Sequence, residues 1–233
     1  MKNYFKSEIF CISIYKSDRY YNFKKYLKNK RIDYKIIKAI SSKEKRFKNL
    51  TKTFSYEMFN KFRNTQSPSE REMACYLSHI KAIKKSDKNR SLIILEDDAR
   101  FKVRLDLFKK IIKKLEQIEH YDIFLLGYSK SDSITEDYLN LVNPFLRFIK
   151  LPINKYKYLV GDRYKQTTCG AIGYLITANA KQKILKNEKI FRFADDWEIL
   201  ENIGLKIGYL KPTIIQEDIG QLSTLNHKQH FIR

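Results

Sequence analysis

The chain is 233 residues long, 43% hydrophobic and 14% aromatic, enough apolar side chain for one large domain with a real core and too much for a disordered scaffold. Its 47 Lys and Arg against 26 Asp and Glu give a formal charge of +21, which favours polyanionic partners such as nucleic acid, anionic lipid or phosphorylated sugars without choosing among them. No apolar run approaches the ~20 residues of a membrane-spanning helix, Met1 to Lys6 lacks the apolar core of a secretion signal, and Cys11, Cys75 and Cys169 form no C-x-x-C pair; a cytoplasmic protein without a disulfide framework or structural zinc site is expected.

Short apolar runs alternate with stretches of helical period, the pattern of strands joined by crossover helices, so the fold class is α/β with a mostly parallel central sheet flanked by helices. Glu8 to Ile14 reads as the first strand, a helix follows from Asp18 through Leu27, and Tyr34 to Lys38 is a second strand. Ser67 caps the next helix, Pro68 fits its first position and Glu70 closes a capping box, giving a helix from Pro68 to about Lys85. Ser91 to Glu96 is a continuous apolar run ending in an acid, which suits a strand buried on both faces. From Asp106 another helix places Leu107, Phe108, Ile111, Ile112, Leu115 and Ile118 on a core-facing stripe. Tyr121 to Leu126 and Gly170 to Ile176 return as strands, Ala178 to Leu185 as a helix, and Lys206 to Leu210 as a late strand. Without a repeat or a Gly/Pro/Ser-rich linker, residues 1–233 form a single domain. Residues 127–168 are read as a mobile insertion, whose Leu141 to Lys150 run mixes aromatic and basic residues in a way that suits a membrane surface, an acceptor cover or a core-packing loop.

The charge is uneven: residues 1–64 carry 18 Lys and Arg against 5 Asp and Glu. That points to a membrane-facing or phosphate-facing edge in the first quarter; lysines scattered over every surface by codon bias are the compatible, blander alternative.

Three acids, Glu96, Asp97 and Asp98, stand where an apolar strand ends, and ligands of open α/β sheets gather outside the carboxyl ends of strands. If strand geometry persists one step further, Glu96 and Asp98 face one ligand while Asp97 points away. Carboxylates so placed suit a hard divalent cation, Mn²⁺ or Mg²⁺, bridging a diphosphate. In the capped helix, Glu72, Cys75 and His79 fall on one stripe that could border such a site. Asp195 and Asp196 precede the chain's one tryptophan, Trp197, and either carboxylate could serve as a general base; two acids in a helix's first turn are the ordinary reading of the same residues.

The segments Arg71-Glu72-Met73-Ala74-Cys75-Tyr76-Leu77-Ser78-His79 and Leu92-Ile93-Ile94-Leu95-Glu96-Asp97-Asp98-Ala99 together resemble the signature of glycosyltransferase family 25, the lipooligosaccharide galactosyltransferase family. Supporting matches run along the chain at Ser17-Asp18-Arg19, Lys38-Ala39-Ile40, Asp122 to Gly127, Gly173 to Ile176 and Ala194 to Trp197. The resemblance implies a GT-A-like nucleotide-sugar fold and an inverting transfer of galactose or glucose from UDP-galactose or UDP-glucose. The acceptor would be a growing lipooligosaccharide at the inner face of the cytoplasmic membrane, whose anionic surface would be a partner. Carried over by residue, the acidic turn with Asp97 holds metal and ribose, Asp98 is the direct metal ligand, Glu96 contacts the sugar, and Tyr15 and Arg19 lie near the nucleotide. A late histidine, His227, is the candidate to complete the metal shell. The chain departs from the family pattern at Ala74, where glycine is usual, and at Ser41-Ser42, where Asp-Gly is usual.

Two other classes use some of the same features. A metal-dependent phosphoryl or nucleotidyl transferase would also place acids at a strand end. A basic nucleic-acid binder would account for the charge and the 16 tyrosines, but no helix-turn-helix, zinc-finger or RNP signature is present and three adjacent acids would repel phosphate without metal, so nucleic acid is not an expected partner.

Overall fold

β1 (Glu8–Ser13) is buried along its whole length and sits between two parallel neighbours, β2 (Lys35–Lys38) and β3 (Leu92–Glu96). The computed structural model describes residues 6–62, 67–127, 144–153, 156–163 and 170–218. Beyond β3 the sheet continues through β8 (Gly173–Ile176), β5 (Ile123–Gly127), β9 (Ile207–Lys211), β7 (Tyr156–Arg163) and β6 (Phe145–Ile153), giving the order β2-β1-β3-β8-β5-β9-β7-β6. β8 and β7 run against the other strands, so the sheet is mixed: the mostly parallel expectation holds for strand direction, but β8 separates β3 from β5 by antiparallel pairings on both sides. A separate two-stranded ribbon pairs β4 (Ala99–Phe101) with β10 (Ile215–Glu217).

Alternation along the strands sends side chains into two cores. On one face Phe10, Leu92, Ile94, Leu125 and Tyr174 pack with residues of α3 (Glu57–Phe62), α4 (Glu70–Lys85), α6 (Ala178–Lys186) and α7 (Trp197–Asn202). On the other, Ile9, Cys11, Ile93, Leu95 and Phe124 pack with α1 (Asp18–Asn29) and α5 (Leu105–Leu115). Residues Leu92 to Leu95 are completely buried because both faces of β3 are covered, as the unbroken apolar run predicts. The short α2 (Phe47–Thr51) adds Phe47 to a small cluster with Ile40, Ala74 and Leu77, where the methyl of Ala74 is buried packing surface.

From β1 the chain first crosses to β2 on one side and then, through α4, to β3 on the other. This reversal makes the carboxyl ends of β1 and β3 the topological switch point, where a ligand crevice opens in sheets of this kind. The two segments that leave these strands carry the candidate site.

Two sequence expectations shift, and one ribbon has no counterpart among them. The helix expected from Pro68 starts two residues later: Ser69 is its N-cap, with Ser69 Oγ accepting from Glu72 N at 3.3 Å and Glu72 Oε2 accepting from Ser69 N at 2.7 Å. Ser67–Glu70 and Ser69–Glu72 have the same capping-box spacing, so the pattern is degenerate, and the observed choice leaves Pro68 outside the cap. Within the stretch read as an insertion, β6 and β7 form an antiparallel hairpin that joins the sheet through β9; residues 128–143 and 164–169 lie outside those described. The β4–β10 ribbon has no period-2 signature of its own, being three residues a side. It lies tightly on the sheet: a Cβ at Gly127 would stand 2.3 Å from the Ile215 carbonyl oxygen and one at Gly173 2.9 Å from Ile215 Cγ2. Among the described residues, no helix is long and apolar enough to cross a membrane.

Candidate active site

β3 does not stay extended past Glu96. Asp97 and Asp98 form a turn into β4, which rotates both carboxylates to one side and leaves Glu96 facing another. The expected pairing of Glu96 with Asp98 is therefore replaced by a pairing of Asp97 with Asp98, because alternation applies only while the backbone is extended. One guanidinium nitrogen of Arg19 bridges the pair, at 2.5 Å from Asp97 Oδ1 and 2.6 Å from Asp98 Oδ2. Ser13, the last residue of β1, donates its hydroxyl to Asp97 Oδ2 at 2.6 Å. Asp97 thus ties β1, α1 and β3 together.

Arg19 is delivered by the start of α1. Ser17 caps that helix, accepting from Tyr20 N at 3.1 Å, and Lys16 just before it takes a left-handed backbone conformation with φ of 64°. The same loop leaves Tyr15 half exposed just past the carboxyl end of β1, its ring edge-on to Tyr20 with centroids 5.2 Å apart.

The electrostatics are unbalanced. Burial, then the charge of Glu96, raise the Asp98 carboxyl to about 7 despite Arg19. Burial also raises Asp97, against the opposing pull of Ser13 and Arg19. Among the described residues, two buried polar atoms at this spot have no hydrogen-bond partner: Asp98 Oδ1, an acceptor, and Arg19 Nε, a donor. A lone acceptor within an excess of carboxylate suits a hard cation, and a neighbouring lone donor suits an anionic oxygen. The unpartnered Asp98 oxygen therefore fits the divalent metal expected from the sequence, whereas Glu96, expected to share that ion, is turned towards His79.

Across the turn, Glu96 approaches α4. His79 is buried, its Nδ1 2.6 Å from the Tyr174 hydroxyl and its Nε2 3.4 Å from Glu96 Oε1. Cys75, one turn earlier on the same helix, brings its sulfur to within 4.8 Å of the ligand atoms of His79 and Glu96. The two remaining acids differ sharply. Asp195 is half-buried, accepts from Gly170 N at 2.7 Å, and is raised by burial, with the charges of Asp196 and Glu96 adding to the effect. Asp196 is buried and turned back onto its own chain, accepting from Phe193 N at 2.9 Å just before α7.

The structure thus gathers Tyr15, Arg19, Glu96, Asp97, Asp98, His79 and Asp195 at one end of the sheet and turns Asp196 away. His227 lies outside the described residues. Sequence reasoning missed Ser13 and Tyr174, whose signal was weak: each is an ordinary strand residue until its partner from a distant segment is known. It also missed the closing role of β10, where Asp218 N donates to the Asp98 carbonyl at 2.8 Å and Arg100 pairs with Asp218 at 2.6 Å.

A mixed sheet covered by helices on both faces, with clustered carboxylates at its switch point, is the architecture of an α/β protein whose ligand would meet the carboxyl ends of its strands. The model of glycosyltransferase family 25 (LPS biosynthesis protein) matches residues 6–199, from β1 through the acidic turn to α7. The chain belongs to this family and is a glycosyltransferase of LPS biosynthesis, which implies a sugar-nucleotide donor and an LPS-type acceptor. No curated protein matches it.

Proposed function

We propose that the protein adopts a GT-A-like nucleotide-sugar fold and transfers a hexose, galactose rather than glucose by family resemblance, from its UDP-sugar to a sugar hydroxyl of a lipooligosaccharide, with inversion at the anomeric carbon. The observation that carries this reading is the pairing of an unsatisfied acceptor, Asp98 Oδ1, with an unsatisfied donor, Arg19 Nε, at the switch point. When bound, Mn²⁺ or Mg²⁺ would supply positive charge to offset that of the departing diphosphate. Asp98 would hold that ion from the protein side through its unpartnered Oδ1, and His227 is the proposed further ligand. Arg19 directs its free N–H at a phosphate oxygen, Tyr15 covers the nucleotide, and the half-exposed Glu96 faces the donor sugar. Asp97 acts as a brace for Arg19.

Asp195 is the proposed base. It takes the proton of the acceptor hydroxyl as that oxygen bonds to the anomeric carbon and the bond from this carbon to the UDP oxygen breaks. Its half-buried position and raised affinity for a proton support the assignment, whereas Asp196 is fully buried.

The protein is further proposed to work in the cytoplasm, docked on the anionic inner face of the membrane. Besides the basic first quarter, the edge strand β6 exposes Leu146, Phe148 and Ile149 at 61%, 50% and 40%. It packs beside α5, where Lys110, Lys113 and Lys114 line a shallow depression with Pro152 and Ile153. Apolar side chains flanked by lysines are the chemistry of a surface that meets acidic headgroups.

The deciding experiment incubates the protein with UDP-galactose, UDP-glucose or UDP-N-acetylgalactosamine, with and without Mn²⁺, beside Asp98→Ala. Metal-dependent turnover of one donor, lost in the variant, is expected; metal-independent turnover, or none with any donor, overturns the reading. Mn²⁺ affinity unchanged in His227→Ala would remove that residue from the metal shell.

A further inference from the structure

Cys75, His79 and Glu96 form a cluster that the transfer reaction does not use as a unit. Cys75 and His79 are four residues apart on α4 and so project from one face of the helix, towards the end of β3 that carries Glu96. Their sulfur, nitrogen and oxygen atoms all lie within 4.8 Å of one another. His79 is 2% exposed, yet its Nε2 has no hydrogen-bond partner among the described residues. The 3.4 Å from Nε2 to Glu96 Oε1 lacks hydrogen-bond geometry, but it matches the edge of a tetrahedron with metal–ligand bonds of about 2.0–2.1 Å, roughly 3.3–3.4 Å. Behind the ring, the Tyr174 hydroxyl oxygen stands 2.6 Å from Nδ1, placed to accept Nδ1–H and leave the Nε2 lone pair facing the cluster, as second-shell partners of metal-bound histidines do. The ring also stacks on Tyr174, 5.8 Å between centroids and 10° between planes, which holds its orientation.

We propose that Cys75, His79 and Glu96 form a second cation site, selective for Zn²⁺ and similar borderline metals, separate from the hard-cation site at Asp98. Thiolate, imidazole and carboxylate together match Zn²⁺ and are a poor set for Mg²⁺. On binding, the Cys75 thiol gives its proton to water, Cys75 Sγ, His79 Nε2 and one Glu96 oxygen bond the ion, and a water takes the fourth position. The Glu96 side chain keeps 31% of its surface exposed, so solvent reaches the cluster from that side. The site therefore has the three-ligand form of an accessible metal centre and not the closed four-ligand form of a structural one. Because Glu96 is claimed by the donor sugar in the function proposed above, an ion here would block turnover; that consequence rests on the proposed function, while the site itself does not.

The test is a Zn²⁺ titration of the purified chain in the absence of any sugar nucleotide, with Co²⁺ as a spectroscopic substitute. The expected result is one Zn²⁺ per chain and a thiolate-to-cobalt charge-transfer band, both retained in Asp98→Ala. In Cys75→Ser the band should vanish and affinity fall at least about 10-fold, and Tyr174→Phe should lose about 10–100-fold as second-shell losses do. No Zn²⁺ binding, binding indifferent to Cys75→Ser, or binding lost in Asp98→Ala would each overturn the proposal. The Mn²⁺ and UDP-sugar assay reads the Asp98 site independently, so failure of one is distinguishable from failure of the other.

Discussion

Asp98→Asn should stabilise the metal-free protein while abolishing its metal-dependent activity. Burial and Glu96 move the Asp98 carboxyl from 3.8 to about 7, so the folded chain holds a proton there that the unfolded chain has released. Between those two values the folded state binds more protons than the unfolded one, and by linkage stability falls as pH rises from about 4 to about 7 and then levels off. A shift of about three units at ~1.4 kcal/mol each sets an upper bound of about 4 kcal/mol. Asparagine keeps the oxygen that faces Arg19 but cannot ionise, so at pH 8 the variant should gain about 2–4 kcal/mol, shrinking below ~1 kcal/mol near pH 4. Urea denaturation of both proteins at pH 4, 6 and 8 with a chelator measures this directly, and Mn²⁺ should raise the stability of the wild type alone. A variant less stable than wild type at pH 8, or a gain independent of pH, would refute the claim that Asp98 is an undercompensated buried carboxylate.

Asp195→Asn preserves an acceptor for Gly170 N, so it should fold normally and lose about 10²–10⁴-fold in kcat with donor affinity intact, measured by steady-state kinetics beside UDP binding. Asp196→Ala instead leaves Phe193 N unsatisfied and should show mainly as about 1–3 kcal/mol of lost stability in denaturant titrations. Gly127→Ala drives a methyl into the Ile215 carbonyl and should cost about 1–3 kcal/mol by thermal melting; because Asp218, which follows β10, donates its N–H to the Asp98 carbonyl, Mn²⁺ affinity should fall as well. Vesicle co-sedimentation should increase with anionic lipid, weaken with salt, and drop when Lys110, Lys113 and Lys114 are changed together to Gln, at about 1 kcal/mol for each well-placed lysine; sedimentation indifferent to all three changes would reject that face.

The strands and helices with long-period signals were legible in the chain itself. The apolar run Leu92 to Leu95 suits a strand covered on both faces, and the stripe from Leu107 to Leu115 suits a helix packed on one, and both are found. Paired strands whose side chains stay exposed were not: six residues of β6 from Leu146 to Pro152 face solvent, and the hairpin is held by backbone pairing that composition does not encode.

For the site, the order of residues alone determined which chemistry was available: three acids after a buried strand, an arginine in the first turn of a capped helix, and a cysteine and histidine on one helical face. Tertiary structure decided how they combine. The turn at Asp97 and Asp98 joined those two to Arg19 and left Glu96 facing His79, because the chain leaves the extended conformation between β3 and β4, which pairs with β10 in a separate ribbon. It also separated Asp195 from Asp196, adjacent in sequence and equivalent on paper, by burying one carboxylate against Phe193 N and leaving the other half-buried on Gly170 N near Glu96. Local spacing determines which side chains can share a face, but the desolvation that raises Asp98 and leaves His79 Nε2 without a partner exists only once β1, β3 and α4 have closed around them.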